Sequence, residues 1–137
     1  MMAMRRVALA AAAVCAVALT GAAAPGMRAL SGVAPGAWEI STSATGSNPR
    51  RICFKDMRLV AQLAHGYERC RGTVLRDVPG SLAMDLTCGP GEFGRSEVTV
   101  TTPRSLKIET QGIHAGGPFN YTLYARRIGN CRIPTGR

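Results

Sequence analysis

The sequence predicts a mainly β fold: a curved antiparallel meander of about seven strands, a partial barrel, with one short α-helix after the second strand. Three observations lead there. Short segments alternate apolar and polar residues with a period of two, and Gly- and Pro-rich clusters divide them. A single segment, behind Asp56, instead carries apolar residues at helical spacing.

The first strand starts at Gly36. In Ala37-Trp38-Glu39-Ile40-Ser41-Thr42, Trp38 and Ile40 share one face and Glu39 and Ser41 the other, the pattern of a half-buried strand. Gly46-Ser47-Asn48-Pro49 is a turn cluster, so Arg50 to Phe54 returns as the second strand of a hairpin. The period then changes. Leu59, Val60, Leu63 and Ala64 form a helical stripe with Asp56 as N-cap and Gly66 as terminator. A helix of roughly ten residues does not persist alone in water, so its stripe must pack on the sheet.

From Cys70 onward the chain reads as β. Cys70 to Asp77 and Ser81 to Cys88 flank Val78-Pro79-Gly80. Aligned as a hairpin with that loop, they pair Val74 with Met84, Gly72 with Leu86 and Cys70 with Cys88. Gly89 to Arg95 reads as a longer loop, after which Val98, Val100 and Thr102 alternate with polar residues. A turn at Pro103-Arg104-Ser105 sets Leu106, Ile108 and Thr110 opposite Thr102, Val100 and Val98. Another at His114-Ala115-Gly116-Gly117 sets Tyr121, Leu123 and Ala125 opposite Thr110, Ile108 and Leu106. These registers keep apolar side chains on one face. The short connections predict that strands adjacent in sequence are adjacent in the sheet.

The N-terminal residues have a different plan. Arg5-Arg6, an apolar run from Val7 to Leu19 and the small residues Gly21-Ala22-Ala23-Ala24 make the three parts of a secretory signal, with cleavage near Ala23 or Ala24. The apolar run is too short for a permanent membrane span, and Cys15 follows Val14 where a lipidated cysteine needs a small neighbour. The expected organisation is therefore a signal peptide over 1–24, a flexible lead-in over 25–35, one β-rich domain over 36–131 and a tail over 132–137. No transmembrane segment is expected in the mature chain.

Four cysteines remain after such processing, at positions 53, 70, 88 and 131, an even number that reads as two bridges in an exported protein. The hairpin register favours Cys70–Cys88, which leaves Cys53–Cys131. On the chain-entropy account the two loops contribute about 3 and 4.5 kcal/mol. Zinc is the rival use of cysteine, but the C-x₂₋₄-C pairs it usually needs are missing.

The chain carries a formal net charge of +9, nearly all of its cations being arginine. These are scattered and lack interleaved aromatics, which argues against a nucleic-acid groove and towards an anionic envelope component as the electrostatic partner. Gly89-Pro90-Gly91-Glu92-Phe93-Gly94 matches the dinucleotide fingerprint in letters alone, because a strand rather than a helix follows it. Asn120-Tyr121-Thr122 matches a glycosylation acceptor in the middle of a strand and is discounted. His65 closes the helix and His114 opens a glycine-rich turn, so neither is placed as a general base. Trp38, Phe119 and Tyr121 read as core. No catalytic, cofactor-binding or metal-ligating residues are expected, and no cofactor.

Pro35-Gly36-Ala37-Trp38-Glu39-Ile40, Cys53 before a helix, the Cys70/Cys88 hairpin and Arg127-Ile128-Gly129-Asn130-Cys131 together resemble the domain of unknown function 3617 family of exported proteobacterial proteins. The resemblance implies a periplasmic location and a β-rich fold, and it brings no activity, catalytic residue or cofactor. The function expected from these readings is a non-catalytic binding or envelope-associated module, with an anionic envelope component or an apolar small molecule as partner. A structural or protein-interaction domain is the alternative, and an enzyme ranks behind both.

Overall fold

The computed structural model describes residues 27–66 and 69–132. The expected signal peptide, residues 25 and 26 of the lead-in, and residues 133–137 of the tail lie outside the described residues. The strands are β1 (Gly36–Ser41), β2 (Arg50–Phe54), β3 (Arg71–Val78), β4 (Ser81–Gly89), β5 (Glu92–Thr102), β6 (Ser105–His114) and β7 (Gly117–Gly129). All seven form one antiparallel sheet, not closed into a barrel, in the order β2-β1-β7-β6-β5-β4-β3.

That order corrects one expectation. β2 and β3 are consecutive in sequence but stand at opposite edges, and β1 pairs with β7 instead. The helix causes the break, because it occupies the stretch between β2 and β3 and packs against β6, β5, β4 and β2. It follows strand two as expected, over Met57–His65, with Asp56 as N-cap and Gly66 as C-cap. It is wound as a 3-10 helix with a break at Gln62, so its buried residues are Met57, Val60, Ala61 and His65. Leu59, expected in the buried stripe, is exposed. Three residues per turn aligns 57 with 60, where an α-helical reading had aligned 59 with 63.

Most registers follow the alternation. Val74↔Met84, Gly72↔Leu86 and the whole β6/β7 set are as expected, but the β3/β4 turn is the tight pair Pro79-Gly80 with a bulge near Leu75. The β5/β6 pairing differs by two residues, since Leu106 faces Val100 and Ile108 faces Val98. A slip of two leaves every side chain on its own face, so the apolar pattern could not discriminate between the two registers. The expected loop at Gly89–Arg95 is also shorter. β5 begins at Glu92, directly after a turn in which Gly91 takes φ +71°.

One face of the sheet carries the core. Trp38, Leu82, Val98, Leu106 and Ile108 are all buried there, with Val60 and Ala61 of the helix over them. Within the lead-in, Arg28–Leu30 form a 3-10 turn, and Ala29, Leu30 and Val33 are buried. Asp77 holds that turn in place, accepting from Ala29 N at 2.7 Å and Arg28 N at 3.0 Å. The three apolar residues pack there because the sheet offers them β3 and β4 to cover.

Candidate functional site

Two places on the inner side of the sheet are more than packing. The first is a seam between β2, the helix and the residues that lead into β3. Ile52, Phe54, Leu59 and Leu63 line a cavity of about 480 Å³ there, with Arg50 and Arg69 also lining it. That volume suits a small molecule. Neither arginine is in an ion pair among the described residues. Cysteines border this seam. Cys53 is joined to Cys131 and Cys70 to Cys88, with Cα–Cα distances of 5.6 and 4.0 Å, so the structure brings together the two pairs expected from the sequence. Bonded cysteines of this kind fit an oxidising compartment.

The second place lies where β5 begins and β6 ends. Gly94 faces Gly112 across the two strands, and Glu92 and His114 lie one inward position beyond them. Two glycines in register leave a hollow in the inner face, and the His65 ring from the end of the helix fills it. A Cβ on Gly94 would stand 2.8 Å from His65 Nε2, and one on Gly112 would stand 2.6 Å from the Gly94 Cα. The hollow therefore requires glycine at both positions. Ser96 fixes the helix above it, donating to the Ala61 carbonyl at 2.5 Å and sharing a 2.7 Å hydrogen bond with Thr110 Oγ1.

His65 has no exposed surface, and neither of its ring nitrogens has a hydrogen-bond partner among the described residues. A buried donor or acceptor left unsatisfied costs about 1–3 kcal/mol. Burial first, and then the neighbouring His114, push the His65 pKa below the usual histidine value, against a smaller opposing effect of Glu92. The ring is thus held neutral at pH 7, with one N–H and one lone pair. His114 lies edge-on to it at 5.7 Å between ring centroids, and Phe119 at 5.2 Å. Glu92 Oε2 is 3.3 Å from His114 Nδ1, while Glu92 Oε1 accepts from Ala115 N at 2.9 Å. His65, Glu92 and His114 each offer an atom within 4.8 Å of the others, a set of donors able to hold a metal ion.

From the sequence no metal-ligating residues are expected, whereas the fold brings His65, Glu92 and His114 close enough to offer a set of donors. His65 closes the helix and His114 opens the Ala115-Gly116 turn, as expected, but packing of the helix on β5 and β6 brings the two rings together. Glu92 was missed because Gly89–Arg95 read as a loop. Placing it opposite His114 takes both the extension of β5 back to Glu92 and the observed register, which differs by two residues from the expected one. The letters of the dinucleotide fingerprint have another origin, a turn at Gly91 and the hollow at Gly94. Trp38 is core, as expected, whereas Phe119 is half-buried and Tyr121 exposed, their rings stacked at 5.6 Å.

No curated protein and no solved structure matches this chain. A family model described as "Protein of unknown function (DUF3617)" matches residues 33–131, from the buried Val33 to the last disulfide cysteine, and so takes in every strand, both disulfides and the histidine hollow; the chain belongs to that family.

Proposed function

We propose that this protein is exported to the periplasm and works there as a non-catalytic binding module whose seam takes an amphipathic anion, an apolar tail with a carboxylate or phosphate head. The seam cavity carries this reading. Leucine, isoleucine and phenylalanine side chains offer the tail a dry surface, and Arg50 and Arg69, in no ion pair among the described residues, offer the head its charge. Two disulfides beside the cavity suit an oxidising compartment, and the basic start, apolar run and small-residue end of residues 1–24 suit export.

Protein released by osmotic shock, expected to start between Ala23 and Gly26, is the material for the test. Titration calorimetry with dodecanoate should show saturable binding of one equivalent. Leu63→Glu should abolish it, and Arg50→Glu with Arg69→Glu should weaken it by at least about tenfold, equivalent to ~1.4 kcal/mol. Binding unchanged in Leu63→Glu, or no saturable binding at all, would remove the seam as the site. Retention of the protein in the membrane fraction with Met1 intact would remove the export step.

A further inference from the structure

We propose that His65, Glu92 and His114 form a binding site for a divalent first-row transition-metal ion, with zinc as the leading occupant. The site is separate from the seam and does not depend on what the seam binds.

Three elements converge to build it: the end of the helix supplies His65, the start of β5 Glu92 and the end of β6 His114. The chain contains two histidines in all, and both are here. Their donor atoms and the Glu92 carboxylate lie within 4.8 Å of one another. Bonds of roughly 2.0–2.2 Å in a tetrahedral shell put ligand atoms about 3.3 Å apart, so side-chain rotations alone close the set around an ion. Two imidazoles and one carboxylate are the donors zinc and ferrous iron select, whereas magnesium and calcium take oxygen shells.

The second, independent observation is His65 itself. It is fully buried, yet both ring nitrogens lack a hydrogen-bond partner among the described residues. Coordination to an ion satisfies the lone pair, and the absence of a side chain at Gly94 gives the ring its room there. Glu92 is already oriented by the bond from Ala115 N to Oε1, which leaves Oε2 towards His114, the kind of outer contact that aims a metal-binding carboxylate. The His114 and Glu92 side chains keep 35% and 18% of their surface exposed. An ion can therefore enter from solvent on that side, and a water or a ligand can complete its shell there.

The test uses tag-free mature protein, disulfides intact, stripped with a chelator and titrated with Zn²⁺ and Co²⁺. One equivalent of Zn²⁺ should bind and raise the melting temperature, and Co²⁺ should develop visible ligand-field bands. In histidine side-chain NMR spectra, Zn²⁺ should shift both imidazoles together. His114→Ala and Glu92→Gln, both partly exposed and expected to fold, should each weaken Zn²⁺ by more than about 100-fold, beyond the 10–100-fold typical of outer-shell changes. Mg²⁺ and Ca²⁺ should leave the spectra unchanged. Absence of stoichiometric Zn²⁺ binding overturns the proposal. So does a shift confined to His114, or a Glu92→Gln variant that binds as tightly as wild type, since either marks an adventitious surface histidine.

Discussion

Strands β5 and β6 run side by side for their whole length, yet the two halves of their inner face are built for different ends. In one half Val98 faces Ile108 and Val100 faces Leu106, a dry pairing under the apolar side of the helix. In the other, Gly94 faces Gly112, with Glu92, His114 and a buried His65 where hydrocarbon would otherwise be. Ser96 and Thr110 mark the boundary, a buried hydroxyl pair joined by a hydrogen bond. The first half supplies stability through buried area. The second gives stability up, since a glycine pair and an imidazole with no hydrogen-bond partner among the described residues pack nothing as well as valine and leucine would. Such a departure within a continuous core is the physical mark of a site.

Breaking the dry half should have the largest effect. Ile108→Ala removes three buried carbons from a fully enclosed position and should cost about 2–5 kcal/mol in denaturant unfolding, with the slope unchanged. Filling the hollow should cost less and do something different. Gly94→Ala sets a methyl group against His65 Nε2 and the Gln111 carbonyl, each 2.8 Å away, one of them rigid backbone. The expected loss is about 1–3 kcal/mol, accompanied by weakened Zn²⁺ binding, which separates it from Ile108→Ala, whose folded fraction should bind normally.

The smallest effect lies outside both halves. Asp77 is held below the usual carboxylate pKa by the bond from Ala29 N and then that from Arg28 N. A depressed folded value means that its contribution is present above the unfolded pKa of about 3.9 and is lost as pH falls through the folded one. Asp77→Asn keeps an acceptor and removes the charge. Melting curves between pH 6 and 2 should show a shallower acid decline in the variant, with faster proteolysis around residues 27–35 at neutral pH.

Legibility in the sequence divides along the same line. The dry half was plain, because Val98, Val100, Leu106 and Ile108 alternate cleanly, and the Cys70/Cys88 register follows from one hairpin. The hollow was opaque because its defining residues are glycines, which carry no periodic signal and read as a turn. That reading hid the start of β5, and with it the position of Glu92. His65 needed a further step, since its direction depends on 3-10 winding that an amphipathic pattern over nine residues does not distinguish from α. Pairing of β1 with β7 is a choice between non-neighbours, which local alternation does not address.

That pairing has a consequence for the order of assembly. β3 to β7 can zip together through tight turns as each strand becomes available, and Cys70 and Cys88 meet across only 18 residues. β1 and β2 come first along the chain but have no other strand to join until β7 exists, and a lone two-stranded hairpin is marginal in water. The earliest part of the domain to be made is therefore the last to dock. Closing it brings Trp38 into the core and Cys53 to Cys131 across 78 residues, a contact of high sequence separation that comes late because its loop entropy is offset only once the rest is built. In the interval the hydrogen-bonding edge of β7 lies unpaired, which makes this step the point at which folding competes with aggregation.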